Sequence, residues 1–580
     1  MRAAHRAAML LMISMLVATG CAGAQPQATT SSPSGGGAST SSAPSGPPKR
    51  IVAAVFDDVP FVYQMLNPAS RYRGVETIQD LVTSGLTQQQ QGGADMALLA
   101  EAVPTIENGL WTVLPNGEME TTWHIRPNAV WHDGVPFTSD DLLFTLEVSR
   151  DKDLPIFLTD SFDYISDAKA PDARTIVVHW NQPYIHANQL FSSSQSQFAM
   201  PIPKHIMEQA YRTQKSTFLE QSFWGRDWVG TGPFKIKEWS LGSQLVVTAF
   251  DQYVLGRPKL DEIEVRYFSD DQTLLANVLA GTIDVVIGRG ITGPAAAQTV
   301  ASWGGAGHLD PRFRSWISLY IQFIDPNPSI LANVQFRRAA AYALNRKEMI
   351  DELIAGQSPV ADSWLLPGQP QYQQIEAQNV TRYPYDPRQT AQLIEQLGYT
   401  KGADGMYVDG SGQKLNLEVR TTAGDDIREK LQLAIQDSWK RAGIDTTLVL
   451  IPRQQAQDLA YRATYPAFEL NRNPVDEEGL KNWSSKRTPL PENNYQVAGN
   501  RSRYRSPELD TLVDRYFTTI SEPDRMQVMG QVVRTLSEQV PAIGILYDAE
   551  PTLISNKLVN VGAGAGARTQ AWNAYAWDVK

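Results

Sequence analysis

An α/β fold is what this sequence predicts, and three observations carry the prediction. The stretches DDQTLLANVLAGTIDVVIG (270–288) and DDIREKLQLAIQDSWKRAGIDTTLVLI (425–451) each run from an acidic cap through an apolar helical face. Each then reaches a glycine and passes straight into a buried strand, the helix-then-strand order of α/β proteins. At 580 residues the chain is long enough for three or so lobes of about 150 residues each. Its 42% apolar content, with 14 Trp and 21 Tyr, suits a core-forming chain, and no fixed-period repeat of the solenoid kind is present.

The elements follow in chain order. Arg2 and Arg6 precede an uncharged apolar run, Ala7 to Ala18, too short to span a bilayer but sized for the core of a signal peptide. Its end reads two ways. Ala22-Gly23-Ala24 fits an ordinary A-x-A cleavage site, whereas Ala18-Thr19-Gly20-Cys21 resembles a bacterial lipobox, in which the cysteine becomes the acylated first residue. On the second reading residues 1–20 are the signal peptide, and 21–48 are a tether rich in Ser, Gly and Pro. That tether cannot bury enough apolar surface to offset its ordering entropy, and as a coil it spans roughly 25–30 Å.

Folded sequence is expected from Lys49, with IVAAVF as a short buried strand. In TTWHIRPNAVWHDGVPFTSDDLLFTLEVSRD (121–151), Trp123 and Ile125 alternate with polar residues and Arg126-Pro127-Asn128 turns the chain. Strand resumes at Val130-Trp131, Asp133-Gly134 turns again, and Thr138 or Ser139 caps a helix with Asp140 and Asp141 in its first turn. GTGPFKIKEW, LVVTAF and EIEVRYF read as strands, and Asp270 or Asp271 caps the helix that Gly281 stops. FRRAAAYALNRKEMIDELIAG reads as two helices, with Asn345 and Glu348 as a capping box and Gly356 at the close. Asp386 caps a helix with Pro387 at its first position and Gly398 at its stop. KLNLEVR is a strand, Gly443 ends the helix before TTLVLI, two more helices follow from Ser506 and Pro523, and PAIGILY is the last buried strand.

Composition narrows the function. Cys21 is the single cysteine, so intramolecular disulfides, zinc ribbons and iron–sulfur ligation are excluded. His124 and His132, eight apart around a hairpin, are poor metal spacing. With 51 basic against 62 acidic residues, the net charge of −11 disfavours nucleic acid or an anionic lipid surface as the main partner. There is no GxSxG elbow, P-loop or HExxH. GAGAGA (562–567) lies too near the C-terminus for the βαβ unit a dinucleotide loop needs, so it reads as a turn. No enzyme activity and no cofactor are expected.

In order along the chain, WHIRPNAVWHDGVPFTSDDLLFTLE, GTGPFKIKEW, RPKLDEIEVRYFSDDQTLLANVLAGTIDV, VQFRRAAAYALNRKEMID, YPYDPRQTAQLIEQLGY and WKRAGIDTTLVLI resemble the blocks of one family. This is family 5 of the bacterial extracellular solute-binding proteins, the oligopeptide/dipeptide-binding components of ABC importers. The resemblance covers roughly residues 50–580. It implies a type II periplasmic-binding-protein-like fold, with two lobes, a hinge and an extra inserted domain (cluster C type). The first lobe would comprise 49–87, 211–315 and 545–580, the inserted domain 88–210, and the second lobe 316–544. It further implies a monomer that closes on a peptide or other small solute, delivers it to permease subunits, and is held at the membrane through a lipid anchor on Cys21. Oligosaccharide cargo and a ligand-sensing role are the alternatives.

Asp133, Gly134, Asp140, Gly230, Gly232, Pro233, Asp284 and Arg346 read as scaffold. For the ligand the resemblance points to Phe56, Asp57 and Asp58 after the first strand, Trp316 and Tyr320 near the crossover, and Tyr547 on the last strand. In FELNRNPVDEEGLKNWSSK (468–486) the family's usual Trp–Asp pattern is absent. Asp476, Glu477 and Glu478 there are the candidates for a peptide amino group, and a solvated loop is the alternative reading of the same three residues. Asn471 and Arg472 are the candidates for a carboxylate or sugar hydroxyls, and Trp483 lies in the same divergent loop; each of these aromatics reads equally as a core residue.

Overall fold

The computed structural model of the chain describes residues 46–66, 72–90, 93–154, 160–193, 199–288, 291–367, 370–452, 454–475, 477–495, 499–562 and 569–580. Cys21, most of the tether, Asp476 and most of GAGAGA lie outside the described residues.

Ten strands form one mixed sheet. In chain order they are β1 (Arg50–Phe56), β2 (Phe234–Ser240), β3 (Gln244–Ala249), β4 (Glu262–Phe268), β5 (Val285–Val286), β6 (Gly307–Ile321), β7 (Asn416–Thr422), β8 (Asp445–Ile451), β9 (Phe468–Pro474) and β10 (Ala542–Ser555). Across the sheet the order is β8-β7-β9-β6-β10-β5-β1-β4-β3-β2. β1 lies parallel to β4 and β5, and β7 lies parallel to β8 and β9. Each of these parallel pairs is linked through helix, as parallel pairing requires. The two long strands, β6 and β10, are antiparallel neighbours and carry the sheet from one half to the other.

Their register shows how. β9 joins β6 only from Ser315 onward, and β5 meets β10 at Ile554. Between those points Asp310–Phe313 face Thr552–Ala549, so the sheet narrows there to two strands. At this waist Pro311 sits opposite Pro551, and neither has an N–H to give to a ladder. A bulge at Arg314 follows, the register shifting between Phe313 and Ser315. Arg312 and Glu550 face each other and pair at 2.8 Å, both nearly closed off from water. This is the two-lobed type II fold, and the waist is its crossing.

The strand expected as PAIGILY therefore runs much further than its apolar stretch, to Ser555, and is not the last. Two short pieces, Leu558–Val559 and Asp578–Val579, pair after it. Cross-strand pairing with β6, polar residues included, sustains strand where hydrophobic alternation stops. Val130-Trp131 is likewise not a strand, because Val130 makes only an isolated bridge to Pro136.

A separate four-stranded antiparallel sheet is ordered Trp111–Val113, Met119–His124, Thr175–Trp180, Ile165–Asp172. Its fully buried Trp123 and Trp180, with Trp131 beyond the turn, share one core with Ile51, Val55 and the helix Val75–Val82. His132 locks this segment to GTGP. The Gly230 N–H donates to His132 Nδ1 at 3.2 Å, and Nε2 donates to the Gly232 carbonyl at 3.0 Å. The glycines are required there, since a Cβ on Gly230 would stand 2.0 Å from the Val82 carbonyl oxygen, and one on Gly232 2.3 Å from Thr83 N. His124 instead meets Thr175, at 3.3 Å.

The caps read from sequence hold. Asp270 accepts from Thr273 N (2.7 Å), Asn345 from Glu348 N (3.3 Å), and Asp386 from Arg388 and Gln389 N (3.0 and 2.9 Å). Thr138 is the N-cap of the Ser139–Ser149 helix, and its N–H donates to Asp141 at 2.9 Å. Gly443, at φ +92°, ends the Asp426–Ala442 helix.

Candidate functional site

Beyond the waist, alternation on β6 sorts its side chains between two cores. Ile317, Leu319 and Ile321 enter the core that holds the Asp426–Ala442 helix, while Trp316 and Tyr320 face the opposite side. Strand pairing brings Tyr547 opposite Trp316 from β10, and Asn473 and Glu469 opposite Trp316 and Tyr320 from β9. The loop after β9 returns Trp483, which stacks on Tyr320 (6.0 Å, 27°) and meets Trp316 edge-on (6.4 Å, 73°). Trp316 Nε1 donates to the Tyr320 hydroxyl at 3.3 Å, and the Tyr547 hydroxyl donates to the Ser363 carbonyl at 2.9 Å. Four of the residues expected at the ligand, Trp316, Tyr320, Trp483 and Tyr547, thus form one group.

That group backs a narrow recess of about 10 Å³, room for about one water, whose lining includes Tyr320, Trp364, Asn473, Trp483, Gly499 and Arg501. Gly499 has φ +144°, and a Cβ there would approach Asn482 Oδ1 to 2.4 Å, so the loop needs glycine at this point. Behind the wall lies Glu469, 2% exposed, which accepts from Arg462 and Arg501. Burial pushes its carboxyl pKa up, but the two guanidiniums outweigh that and hold it below its ordinary value.

The remaining expected residues go elsewhere. Asp57 has φ +116° and accepts from Arg73 N at 3.0 Å, and the Arg73 guanidinium lies 4.9 Å over the Phe56 ring. Asp58 accepts from Gly242 N at 2.9 Å. These contacts tie turns of the first half together and do not join the aromatic group. Asn471 turns its oxygen to Arg428 Nη1 (3.2 Å) and Arg472 N (2.9 Å). Arg472, expected as a fork for ligand, is occupied by protein carboxylates. Its Nη1 is 2.5 Å from Asp425 and its Nε 2.8 Å from Asp548, the latter off the N–H line. Burial pushes Asp548 up to about 6; Arg472 opposes this, while Glu550 and Asp425 add to it. Glu477 accepts from the Tyr516 hydroxyl (2.9 Å) and lies 3.4 Å from His186 Nε2.

Sequence reasoning missed Trp364, Glu469, Asn473 and Arg501. Glu469 and Asn473 stand within FELNRNP and Arg501 within AGNRSRYR, but 32 positions separate Arg501 from its carboxylate. Among the described residues no group of His, Cys, Asp and Glu could hold a metal ion, and no helix is long and apolar enough to cross a membrane.

Two halves joined by a two-strand crossing, with a buried aromatic cluster beside it, are the framework of the type II binding-protein fold. Residues 102–487 match the model of the bacterial extracellular solute-binding proteins, family 5, and the chain belongs to that family. The oligopeptide-binding protein AppA of Bacillus subtilis is 22% identical over 64% of this chain and 64% of its own length. The fold is shared with the oligopeptide-binding protein of Thermus thermophilus complexed with a pentapeptide (TM-score 0.66, 22% identity, 91% of this chain, 96% of that one). It is also shared with NikZ of Campylobacter jejuni in complex with Ni(L-His) (TM-score 0.69, 18% identity, 92% and 100%).

Proposed function

We propose that this chain is an extracytoplasmic lipoprotein that captures a peptide between two lobes and delivers it to an ABC permease. The observation that carries the reading is the aromatic recess formed where β6, β9 and β10 leave the waist. On this reading residues 49–87, 211–315 and 545–580 move as one lobe with 88–210 attached, and 316–544 is the other. Ligand binds the closed arrangement better than the open one and shifts that population. The AppA and Thermus relatives are named for oligopeptides, which supports peptide as the cargo. The Campylobacter relative holds a nickel–histidine complex, so cargo varies on this fold.

A thermal-shift screen with pooled peptides of two to ten residues, oligosaccharides and metal–amino-acid complexes tests the reading. A peptide at 100 times its dissociation constant adds about 2.7 kcal/mol of stability. A shift with a glycan and with no peptide would replace the cargo while leaving the binding mechanism. For the anchor, Cys21→Ser is expected to move the protein from the membrane fraction to the medium; its retention on the membrane would refute lipidation.

A further inference from the structure

Next to the aromatic group, residues of the second half grip a segment whose core belongs to the first. Tyr184 and Ala187 are buried in the core that holds Ile51, Val55 and the helix Val75–Val82. Between them the chain reaches across. Ile185, 7% exposed, enters the core of Trp316, Tyr320 and Trp483, and its N–H donates to the Phe517 carbonyl at 3.3 Å. His186, 2% exposed, sets its ring 6.3 Å from that of Phe517 and its Nε2 3.4 Å from Glu477. Ile520 returns the exchange by packing against both cores. Each half thus buries side chains of the other along one seam.

A cation sits in that seam. Lys481 and Trp483 share the short turn Glu478–Trp483, and while Trp483 stacks on Tyr320, Lys481 meets three other rings. Its Nζ lies 4.8 Å from the centre of Phe517, 5.9 Å from Tyr184 and 6.0 Å from Tyr164. Phe517 stays with Lys481 if the halves part. The two tyrosines, whose rings lie 5.0 Å apart, leave together with the other half. A cation gains from each ring face it meets, and more where water is kept out, so parting strips Lys481 of two faces in three. Parting also returns the Ile185 side chain to water, against the hydrophobic effect.

We propose that this seam is a latch: Glu477, Lys481 and Phe517 of the second lobe clasp Tyr184, Ile185 and His186 of the inserted segment and hold the lobes closed without help from solute. This rests on the reading that 88–210 rides with the first lobe and that 316–544 is the other. Such a latch raises the fraction of chains already in the binding arrangement. Apparent affinity for solute rises in proportion to that fraction, so weakening the latch lowers affinity with no change in any residue that touches solute.

The test is pulsed electron-resonance distance measurement on the purified full chain carrying Cys21→Ser, with no solute added. Spin labels go on pairs of exposed positions: Lys259→Cys in the first lobe, Lys152→Cys in the inserted segment and Glu352→Cys in the second lobe. Lys481→Met keeps the stem and removes the charge. It should lengthen the 259–352 and 152–352 distances together, leave 259–152 fixed, and shift the closed-to-open ratio by roughly three- to thirtyfold. Ile185→Ala should act in the same direction, and the double variant Ile185→Ala/Lys481→Met should exceed either. Lys481→Arg, which keeps a cation among the rings, should stay near the parent chain. Lys486→Met should match the parent, since that side chain pairs with Asp514 instead. Distances unchanged in both single variants and in the double variant overturn the latch while leaving the lobe reading standing. The same lengthening in Lys486→Met also overturns it. Lengthening of 152–352 and 259–152 with 259–352 fixed shows the inserted segment swinging alone, which overturns the lobe reading and the latch with it.

Discussion

His132 offers a test of how the segment around it is locked to Gly230–Gly232. It is 9% exposed, accepts from Gly230 N at Nδ1, and donates from Nε2 to the Gly232 carbonyl. That arrangement holds the ring neutral, and burial pushes its pKa from 6.5 down to about 4. The Gly232 carbonyl and Asp133 oppose the shift, while Lys235 reinforces it. In the unfolded chain the ring protonates below 6.5, whereas in the folded chain it stays neutral to about 4. Its contribution to stability is therefore complete above pH 6.5 and is lost progressively as pH falls toward 4. At about 1.4 kcal/mol per pH unit the loss amounts to about 3 kcal/mol. The assay is urea unfolding of wild type and His132→Asn between pH 4 and 8. Asn can still accept near the Nδ1 position but cannot titrate. Its stability at pH 7 should be lower by about 1–3 kcal/mol, from the lost Gly232 bond and ring packing. The gap should then close as pH falls, since only wild type loses this term. Subtracting the two profiles cancels the other titrating groups. Parallel profiles from pH 4 to 7, or a gap that widens on acidification, would refute the reasoning.

Asp548 runs the other way. Its folded pKa of about 6 lies above the usual 3.8, so wild type should lose stability as pH rises through that window. Asp548→Asn should gain on wild type between pH 4 and 6.5, by less than about 3 kcal/mol because a fifth of the side chain meets solvent; a flat difference profile would contradict this. Gly544→Ala would put a Cβ 2.2 Å from the Ala361 carbonyl oxygen and 2.8 Å from Trp316 Cε3. It should cost about 1–3 kcal/mol in urea unfolding and shift tryptophan fluorescence, whereas a silent variant would show that the wall behind Trp316 is loose. Arg346→Met strips donors from Asp362 and from the Gly544 and Tyr383 carbonyls (2.8–3.0 Å). A loss of about 3–5 kcal/mol is expected, and a loss under about 1 kcal/mol would count against its place as a scaffold residue.

Local chemistry was legible in the sequence because its causes are local. Asp270, Asn345 and Asp386 announce helices through short backbone contacts a few residues away, and Gly443 ends one by a conformation other residues resist. Trp316, Tyr320, Trp483 and Tyr547 were legible only through the family resemblance, since no spacing in the chain says that they meet. The pairing of Arg501 with Glu469 had no signature at all, because the two come together only when β9 and the loop after Gly499 are both in place. Arg472 misled for a similar reason. A guanidinium in a polar stretch reads as a free fork until Asp425 and Asp548, distant in sequence, arrive to occupy it. β10 outran its apolar stretch because its partner strand, rather than its own pattern, decided its length.

The waist has a mechanical meaning. A wide sheet resists flexing because all its strands must deform together, but between Asp310 and Phe313 there are only two strands, with a proline facing a proline. Because the two strands remain laced together above and below, they form a short torsion bar: twisting is soft there, and sliding or pulling apart is not. The Arg312–Glu550 pair is buried in the middle of that bar. On the proposed hinge reading, charges at the centre of such a bar would travel least, so closure would not drag a buried ion pair into water.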